Sequence, residues 1–169
     1  MPFTPFHFGP SACVALPLRR YIDIPTFLLA NIAIDIEPLL VLGLSLSYPL
    51  HGYAHTLLGA SFVGLFWGLL AHAFKKQLKL LMNNIFFLSY EPAKLSKYIF
   101  SGILGTWFHV LLDSPLYADI KPFFPFSQNP LYGTVTHGMI YTICAVFFIP
   151  AFAIYFMLIV SDRKIEKTS

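Results

Sequence analysis

The stretch that decides the fold lies at residues 137–160 and reads HGMIYTICAVFFIPAFAIYFMLIV, without a single Asp, Glu, Lys or Arg. As an α-helix its 24 residues extend about 36 Å, at a rise of about 1.5 Å per residue. That length exceeds the roughly 30 Å hydrocarbon thickness of a bilayer, so the stretch can cross it with some tilt. We therefore expect a transmembrane helix here.

The whole chain shares this apolar character. Its 169 residues are 57% hydrophobic, 17% aromatic and 11% charged, with a mean hydropathy of +0.69, whereas soluble domains carry about 25% charged residues. This composition indicates an integral membrane protein. We expect a single membrane domain over residues 1–169, with a helical bundle over 1–160 and a polar cytoplasmic tail over 161–169.

Four further helices are predicted, at Pro5–Leu18, Ile24–Ile36, His51–Phe74 and Leu95–Asp113. The first two are only about 20 Å long and are expected to form a short buried hairpin, the second ending at Pro38. Residues 39–50 fit a short re-entrant or interfacial helix, and residues 77–97 fit a segment along the membrane surface. The expected fold is all-α: an integral membrane bundle of about five helices with a short N-terminal helical hairpin and an interfacial helix.

Small residues recur along the third of these helices. Ala60, Gly64 and Gly68 follow one another at every fourth position and so share one face. Small residues let two helix backbones approach closely in a membrane. We expect another helix to pack against this face.

Basic residues predict the orientation of the bundle. Counting helix crossings puts ten of the 11 Lys and Arg residues on one face, which the positive-inside rule makes cytoplasmic, with Lys121 on the other. The chain starts without a basic run before its first apolar segment, so we expect no cleaved signal peptide. The predicted location is the inner (plasma) membrane, crossed several times. The ten residues are Arg19, Arg20, Lys75, Lys76, Lys79, Lys94, Lys97, Arg163, Lys164 and Lys167.

The same count brings histidines and carboxylates together at the opposite, outer face. A charge inside hydrocarbon costs about 2.5–3.5 kcal/mol even on insertion scales, so such residues usually pair, bind something or line a polar cavity. Imidazole and carboxylate are the ligands of zinc and related divalent ions, whereas Cys13 and Cys144 lack the spacing of a thiolate site. The expected metal ligands are His7, Asp35, His51, His55, His109 and Asp113.

Spacing supports the metal site independently. His51 and His55 are four residues apart, as are His109 and Asp113, so on a helix each pair projects from one face. A hydrogen-bonded polar cluster that holds helices together is the alternative for these residues. Two other roles are compatible with His51: a partner of a metal ligand, or the N-terminal cap of a helix.

Glu37 and two further histidines leave several roles open. Three roles are compatible with Glu37: a metal ligand, a catalytic base, or a charge at the membrane interface. His137 lies where a helix starts and fits a cap, an interface residue or a ligand. His72 falls at the cytoplasmic end, beside Lys75, and is expected to be an ordinary interface histidine.

Several segments, in order along the chain, also resemble a known family. They are residues 1–7 (MPFTPFH), 35–37 (DIE), 51–56 (HGYAHT), 109–114 (HVLLDS) and 122–127 (PFFPFS). Together they resemble the LexA-regulated inner-membrane metal-dependent hydrolases of some bacteria, a family distantly similar to zinc-dependent phospholipase C. The resemblance covers about residues 1–140. It implies an all-helical fold with a metal centre formed by His7, Asp35, His55, His109 and Asp113.

The chain departs from the family pattern at two places. The family tends to have Leu-Pro-Asp-x-Asp-His where this chain has Ala-Ile-Asp-Ile-Glu-Pro at residues 33–38. The family also tends to have His-Arg-Gly-x-Thr-His, whereas this chain has Gly52 in place of the arginine. The histidine lost at position 38 is one that a second metal would need.

These features predict metal-assisted hydrolysis at the outer interface. A divalent ion, zinc first among them, lowers the pKa of a bound water from 15.7 toward about 7. Asp35 or Glu37 is expected to accept the proton, with Glu37 the first candidate. The loop at residues 114–136 is expected to cover the site, although its aromatic residues also suit a membrane-interface belt.

The position of the site predicts the class of partner. A site at the outer interface favours membrane lipids and a phospholipid or lipid-linked phosphoester as substrate, and no nucleic acid is expected. Esters and amides remain compatible with the same chemistry. The alternatives are a metal-ion or proton transporter, a haem-binding cytochrome, and a non-catalytic membrane protein that keeps the polar cluster. The sequence leaves substrate, metal identity and oligomeric state open.

Overall fold

The structure is a computed structural model that describes residues 4–168 and the side chains of residues 6–164. The described residues form helices and turns and no strand, which confirms the all-α fold. Met1, Pro2 and Phe3, which open the family resemblance, lie outside the described residues, as does Ser169. The α-helices are α1 (Phe8–Ala15), α2 (Ile24–Ala33), α3 (Ile36–Gly43), α4 (Leu57–Ala73), α5 (Lys75–Asn84), α6 (Leu95–Asp113), α7 (His137–Val146) and α8 (Phe148–Thr168).

Within this part of the chain, three segments are long and apolar enough to cross a membrane: Ile24–Gly43, Leu95–Asp113 and His137–Lys164. Helices α4 and α5 add a fourth if they are taken as one span, although they bend by 76° where they meet. Large apolar side chains are exposed along these helices, including Phe62, Ile149 and Phe156 at 67%, 71% and 67%. A membrane protein has this kind of surface, because its surroundings are hydrocarbon rather than water.

The segment after α2 differs from the prediction. The second helix was expected to stop at Pro38, but α3 starts at Ile36 and includes Pro38 as its third residue. Proline is tolerated there because the N–H groups of the first turn have no partner within the helix. With α3 added to α2, the segment reaches 20 residues and is long enough to span. The break between the two helices, at Ile34 and Asp35, lies in the middle of it.

The start of the third predicted helix is also wrong. The structure places His51 in a loop and His55 in a 3₁₀ turn (Tyr53–His55), and α4 begins only at Leu57. The Thr56 side chain accepts a hydrogen bond from the N–H of Gly59 at 2.9 Å and caps the helix. Threonine is a preferred N-cap residue, so the local sequence selects the later start.

The predicted polar tail is helical, since α8 continues to Thr168. Asp162 holds it in place. Its carboxylate accepts two hydrogen bonds from the Arg19 guanidinium, both at 2.9 Å, and one from the N–H of Ser89 at 2.9 Å. A bidentate pair of this kind fixes geometry as well as charge.

Helix α6 has the predicted bounds and packs at the centre of the bundle. The small-residue face of α4 lies against it, as expected: a Cβ atom added to Gly64 or Gly68 would come 2.6 Å from the Cα of Ile103 or Ile99. The hydroxyl of Thr106 donates to the carbonyl of Ala60 at 2.8 Å across the same contact. Close packing of α4 and α6 therefore sets the position of every side chain that α6 carries.

Helix α2 packs on another face of α6. A Cβ atom at Gly105 would overlap the carbonyl oxygen of Phe27. The amide of Asn31 donates to the Gly105 carbonyl at 3.3 Å. The end of α2 and the end of α6 are thus held side by side, and the break at Asp35 follows directly.

Candidate metal centre

Four side chains from three separate segments converge at the C-terminal end of α6. Asp35 comes from the break between α2 and α3, His55 from the 3₁₀ turn, and His109 and Asp113 from α6. Each offers one ligand atom, and all four atoms lie within 4.8 Å of one another. His55 and His109 are completely buried, and Asp113 is 4% exposed. Four of the six residues that the sequence predicts to be metal ligands therefore lie together.

The two ligands on α6 lie on one helical face, as their spacing predicts. His109 Nε2 lies 3.3 Å from Asp113 Oδ2 and 3.4 Å from Asp35 Oδ1. Two ligands of a tetrahedral zinc ion, each about 2.1 Å from the metal, lie about 3.4 Å apart. The observed separations therefore match those of ligands around one ion.

The hydrogen bonding of these residues also favours a cation site. In the described part of the chain, five buried side-chain polar atoms have no hydrogen-bond partner, and three of them are His55 Nε2, His109 Nε2 and Asp113 Oδ1. Although neighbouring polar atoms lie at 3.2–3.4 Å, their angles are not those of hydrogen bonds. Leaving a buried polar atom without a partner costs about 1–3 kcal/mol. A cation at the point where they converge would satisfy all three.

Glu37 fixes the orientation of His55. Its Oε2 accepts from His55 Nδ1 at 2.8 Å, so the other ring nitrogen, Nε2, is left with a lone pair. The same carboxylate accepts from the N–H groups of Gly52 and Ala54, both at 3.0 Å. A carboxylate behind a metal-ligating histidine commonly sets its tautomer in this way. Glu37 therefore orients the His55 imidazole, and both of its oxygens already accept hydrogen bonds.

The environment keeps His55 in the form that binds metals. Burial lowers the pKa of this imidazole, and the charges of His109 and His51 lower it further, whereas the hydrogen bond that His55 donates to Glu37 raises it. The net result is that the pKa of His55 lies below its ordinary value of about 6.5. His55 is therefore neutral near pH 7, as a ligand must be.

His7 lies beside the four-residue group. Its Nδ1 is 3.2 Å from His109 Nδ1 and its Nε2 is 3.2 Å from Asp113 Oδ1. Its side chain is 2% exposed. His7 is not one of the four residues whose ligand atoms lie within 4.8 Å of one another. It contacts two of them, and its role as a ligand stays a prediction.

His51 has a different partner from the one that its spacing suggested. The backbone N–H of His51 donates to Asp119 Oδ2 at 3.0 Å. The ring Nδ1 of His51 lies 3.0 and 3.2 Å from the two Asp119 carboxylate oxygens. Its ring centroid lies 4.8 Å from that of His55 and 4.2 Å from that of Tyr117. His51 and His55 are thus neighbours across a loop, not along a helix. His51 is not among the four convergent ligands.

Asp119 was missed by the sequence analysis. It lies in the loop between α6 and α7, where no periodic pattern links it to His51. The one sequence feature that singles out Asp119 is that it is the only carboxylate between residues 114 and 136. Burial alone would raise its pKa, but the hydrogen bonds from the backbone and the ring of His51 outweigh it and lower the pKa below its ordinary value.

The remaining histidines lie outside the group. His137 is exposed and is the first residue of α7, while the cap is Thr136, whose side chain accepts from the N–H of Met139. His137 faces Tyr117 with ring centroids 6.0 Å apart. His72 lies at the other end of α4, where its Nε2 is 3.4 Å from Lys75 Nζ. Its expected separation from the site is observed.

The donor set fits a hard or borderline divalent cation. Two imidazoles and two carboxylates offer nitrogen and oxygen ligands, as zinc and similar ions prefer, and no thiolate is close enough to take part among the described residues. Such a site can activate water or polarise a phosphoryl or carbonyl oxygen. Comparison of the chain with protein-family models, curated proteins and solved structures yields no match.

Proposed function

We propose that this protein is a membrane-embedded metal-dependent hydrolase that acts at the outer interface on a phosphoester of a lipid or lipid-linked substrate. The observation that carries the proposal is the convergence of three buried ligand atoms that lack hydrogen-bond partners among the described residues. The resemblance to the LexA-regulated membrane hydrolases supports the same chemistry. We take zinc as the first candidate for the metal.

The membrane arrangement that we propose is a bundle of about five helices in the inner membrane. In it, α1 and α2 form the N-terminal hairpin and α5 lies along the cytoplasmic interface, in keeping with its 76° bend from α4. Lys97 and Asp113 are 16 residues apart on α6, which corresponds to about 24 Å along the helix axis. If the basic end faces the cytoplasm, the metal centre lies near the opposite surface.

The roles of the two carboxylates that precede α4 follow from their contacts. Glu37 accepts hydrogen bonds from His55 and from two backbone N–H groups, so we assign it to orienting His55. Asp35 is the more open carboxylate of the group, with its side chain 18% exposed against 6% for Asp113. We therefore assign the acceptance of a proton from water to Asp35, in place of Glu37.

The metal would supply Lewis acidity and lower the pKa of a bound water. The residues of this chain supply the rest. His55, His109 and Asp113 hold the cation in a buried position, and the low dielectric there strengthens its effect on a reacting oxygen. His7, which contacts His109 and Asp113, steadies both ligands.

The proposed substrate class rests on the surface around the site. Tyr53 follows directly on Gly52, whose N–H donates to Glu37, and packs on Phe124 of the α6–α7 loop with ring centroids 5.3 Å apart. Phe126 is 74% exposed in the same loop. Exposed aromatic rings at a membrane surface sit at the level of the lipid headgroups. A substrate that lies with its tail in the membrane and its phosphoester at this level would reach the site.

The test is metal content together with activity. Protein purified in detergent is analysed for bound metals and assayed with a phospholipid substrate, beside the variants His109→Ala and Asp113→Ala and the control His72→Ala. We expect about one metal per wild-type chain, none in the first two variants, and wild-type content and activity in the control. A wild-type protein without stoichiometric metal would refute the proposal, as would variants that retain it.

A further inference from the structure

The structure contains a second feature, an apolar groove of about 520 Å³ between α1, α2, α5 and α8. Binding sites for small molecules commonly measure about 300–1,000 Å³. Its walls include Ala12, Leu28, Met82 and Phe152, and its lining is almost entirely hydrocarbon. Helices α2 and α8 belong to two of the candidate membrane spans, so the groove lies between two segments that are long and apolar enough to cross a membrane.

A polar cavity of about 420 Å³ continues from the groove at the basic end of the bundle. The two share Ile24, Met82 and Leu88 as lining residues. Basic residues from two elements, Arg20 and Lys97, line the polar cavity. The combined space is therefore amphipathic, with an apolar part against the spans and a charged part at the membrane surface.

Three of the other four charged residues of the polar cavity have an ionic partner. Arg19 is paired with Asp162, and Glu91 with Lys79 at 2.7 Å. The buried carboxylate of Asp23 accepts from the hydroxyl of Tyr90 at 2.6 Å, as well as from Thr26. Because these donors are neutral, the Asp23 carboxylate keeps its charge, and together with Arg20 and Lys97 it leaves the cavity with one net positive charge.

Arg20 and Lys97 differ from their neighbours. The Arg20 guanidinium lies 5.9 Å from the ring centroid of Tyr21, and Lys97 Nζ donates to the Arg19 carbonyl at 2.7 Å. Neither contacts a carboxylate among the side chains that the structure describes. Two cations without a carboxylate contact among the described side chains thus line the polar cavity, next to the apolar groove. Basic pockets between membrane helices on the cytoplasmic side characteristically bind anionic lipid headgroups.

We propose that the groove and the polar cavity together hold one anionic phospholipid. One acyl chain lies along the groove and the phosphate lies against Arg20 and Lys97. The site is at the opposite end of α6 from the metal centre, so this lipid is a bound partner and not the substrate. The bound lipid would hold α1 and α2 against α8, because the groove lies between these helices.

The experiment measures lipid binding by native mass spectrometry of the full chain in detergent. Phosphatidylglycerol and phosphatidylcholine with the same acyl chains are added in equal amounts. We expect one phosphatidylglycerol bound per chain, in preference to phosphatidylcholine. Removing two interfacial cations, in the double variant Arg20→Gln/Lys97→Gln, should weaken phosphatidylglycerol binding about 30-fold and leave phosphatidylcholine binding unchanged.

A matched variant controls for net charge. Lys75→Gln/Lys76→Gln removes the same charge from the basic end but lies outside the cavity, and it should bind phosphatidylglycerol like the wild type. Equal binding of both lipids would overturn the proposal, as would equal weakening by both double variants. A lipid-free dimer as the only species would assign the groove to a second copy of the chain and also overturn it. Metal content is unaffected in every case, so the result is separate from the hydrolase proposal.

Discussion

The Nδ1 atom of His55 and the Oε2 atom of Glu37, 2.8 Å apart, decide which nitrogen of this histidine is available. A protonated Nδ1 leaves Nε2 as the acceptor, and Nε2 is the buried atom without a hydrogen-bond partner among the described residues. The same carboxylate bridges to the backbone of residues 52 and 54, so it also shapes the turn that carries His55. Orientation of the ligand and folding of the turn therefore depend on one side chain.

We predict that Glu37→Gln weakens zinc binding by about 10- to 100-fold, which is the usual cost of losing a partner behind a metal-ligating histidine. An amide has one acceptor oxygen, so it cannot accept from His55 and from both backbone N–H groups. Competition titration with a zinc chelator measures the affinity. His72→Ala serves as the control, and a Glu37→Gln affinity equal to that of the wild type would contradict the role.

Asp119 and His51 form a second pair next to the site. We predict that Asp119→Asn lowers hydrolytic activity but keeps the full metal content, because His51 is not among the four convergent ligands. If His51 is a ligand after all, Asp119→Asn and His51→Ala will both lose metal. Elemental analysis distinguishes the two results.

The same pair has a defined pH dependence. The pKa of Asp119 is lower in the folded protein than its ordinary value of about 3.9, so the folded state favours the carboxylate. Its contribution to stability is present above about pH 3.9 and is lost as the pH falls through the folded-state pKa. The thermal unfolding of wild type and Asp119→Asn should therefore differ at neutral pH, start to converge below about pH 3.9 and coincide only below the folded-state pKa of Asp119.

At the scale of the helices, the contact between α4 and α6 controls the geometry of the site. A Cβ atom at Gly102 would overlap the carbonyl oxygen of Gly64, and backbone cannot move aside as a flexible side chain can. Since His55 precedes α4 and His109 lies on α6, separating these helices also separates two ligands. The packing of α4 on α6 and the geometry of the candidate metal centre are thus linked through a few small residues.

We predict that Gly102→Ala destabilises the protein by about 1–3 kcal/mol, as overpacking does, and lowers zinc affinity. Gly138→Ala is the matched control, because a Cβ atom there meets nothing within 4 Å. Thermal unfolding in detergent and zinc titration measure the two effects. Equal behaviour of the two variants would show that the α4–α6 contact tolerates a methyl group.

The helices that the sequence predicted well are those with a continuous pattern. The bounds of α6 agree at both ends, and the small residues of α4 lie against another helix as expected. The starts of α3 and α4 were wrong because local capping decided them: Pro38 fits a first turn, and Thr56 caps α4. Asp119 could not be predicted, since its contact with His51 spans 68 residues and lies within a loop.

At the scale of the whole molecule, the bundle has an apolar exterior with different polar groups at its two ends. One end carries the imidazoles and carboxylates of the candidate metal centre. The other carries contacts between the predicted basic groups, since Arg19 reaches Asp162 and Lys97 reaches Arg19. The positions of the charged residues in the sequence predicted that the basic residues and the histidine–carboxylate group lie at opposite ends. The short distances within that group depend on helix contacts that only the structure shows.

This polarity predicts which groups can be reached from each side of the membrane. In a chain whose Cys13 and Cys144 are replaced by alanine, Tyr132→Cys lies in the α6–α7 loop at the end that carries the metal centre, while Arg163→Cys lies at the basic end. Because the positive-inside rule predicts a cytoplasmic basic end, a membrane-impermeant maleimide should label Tyr132→Cys in cells with only the outer membrane permeabilised. Arg163→Cys should react only after the inner membrane is opened. The reverse pattern would place the metal centre at the cytoplasmic face and exclude a substrate from the outer leaflet.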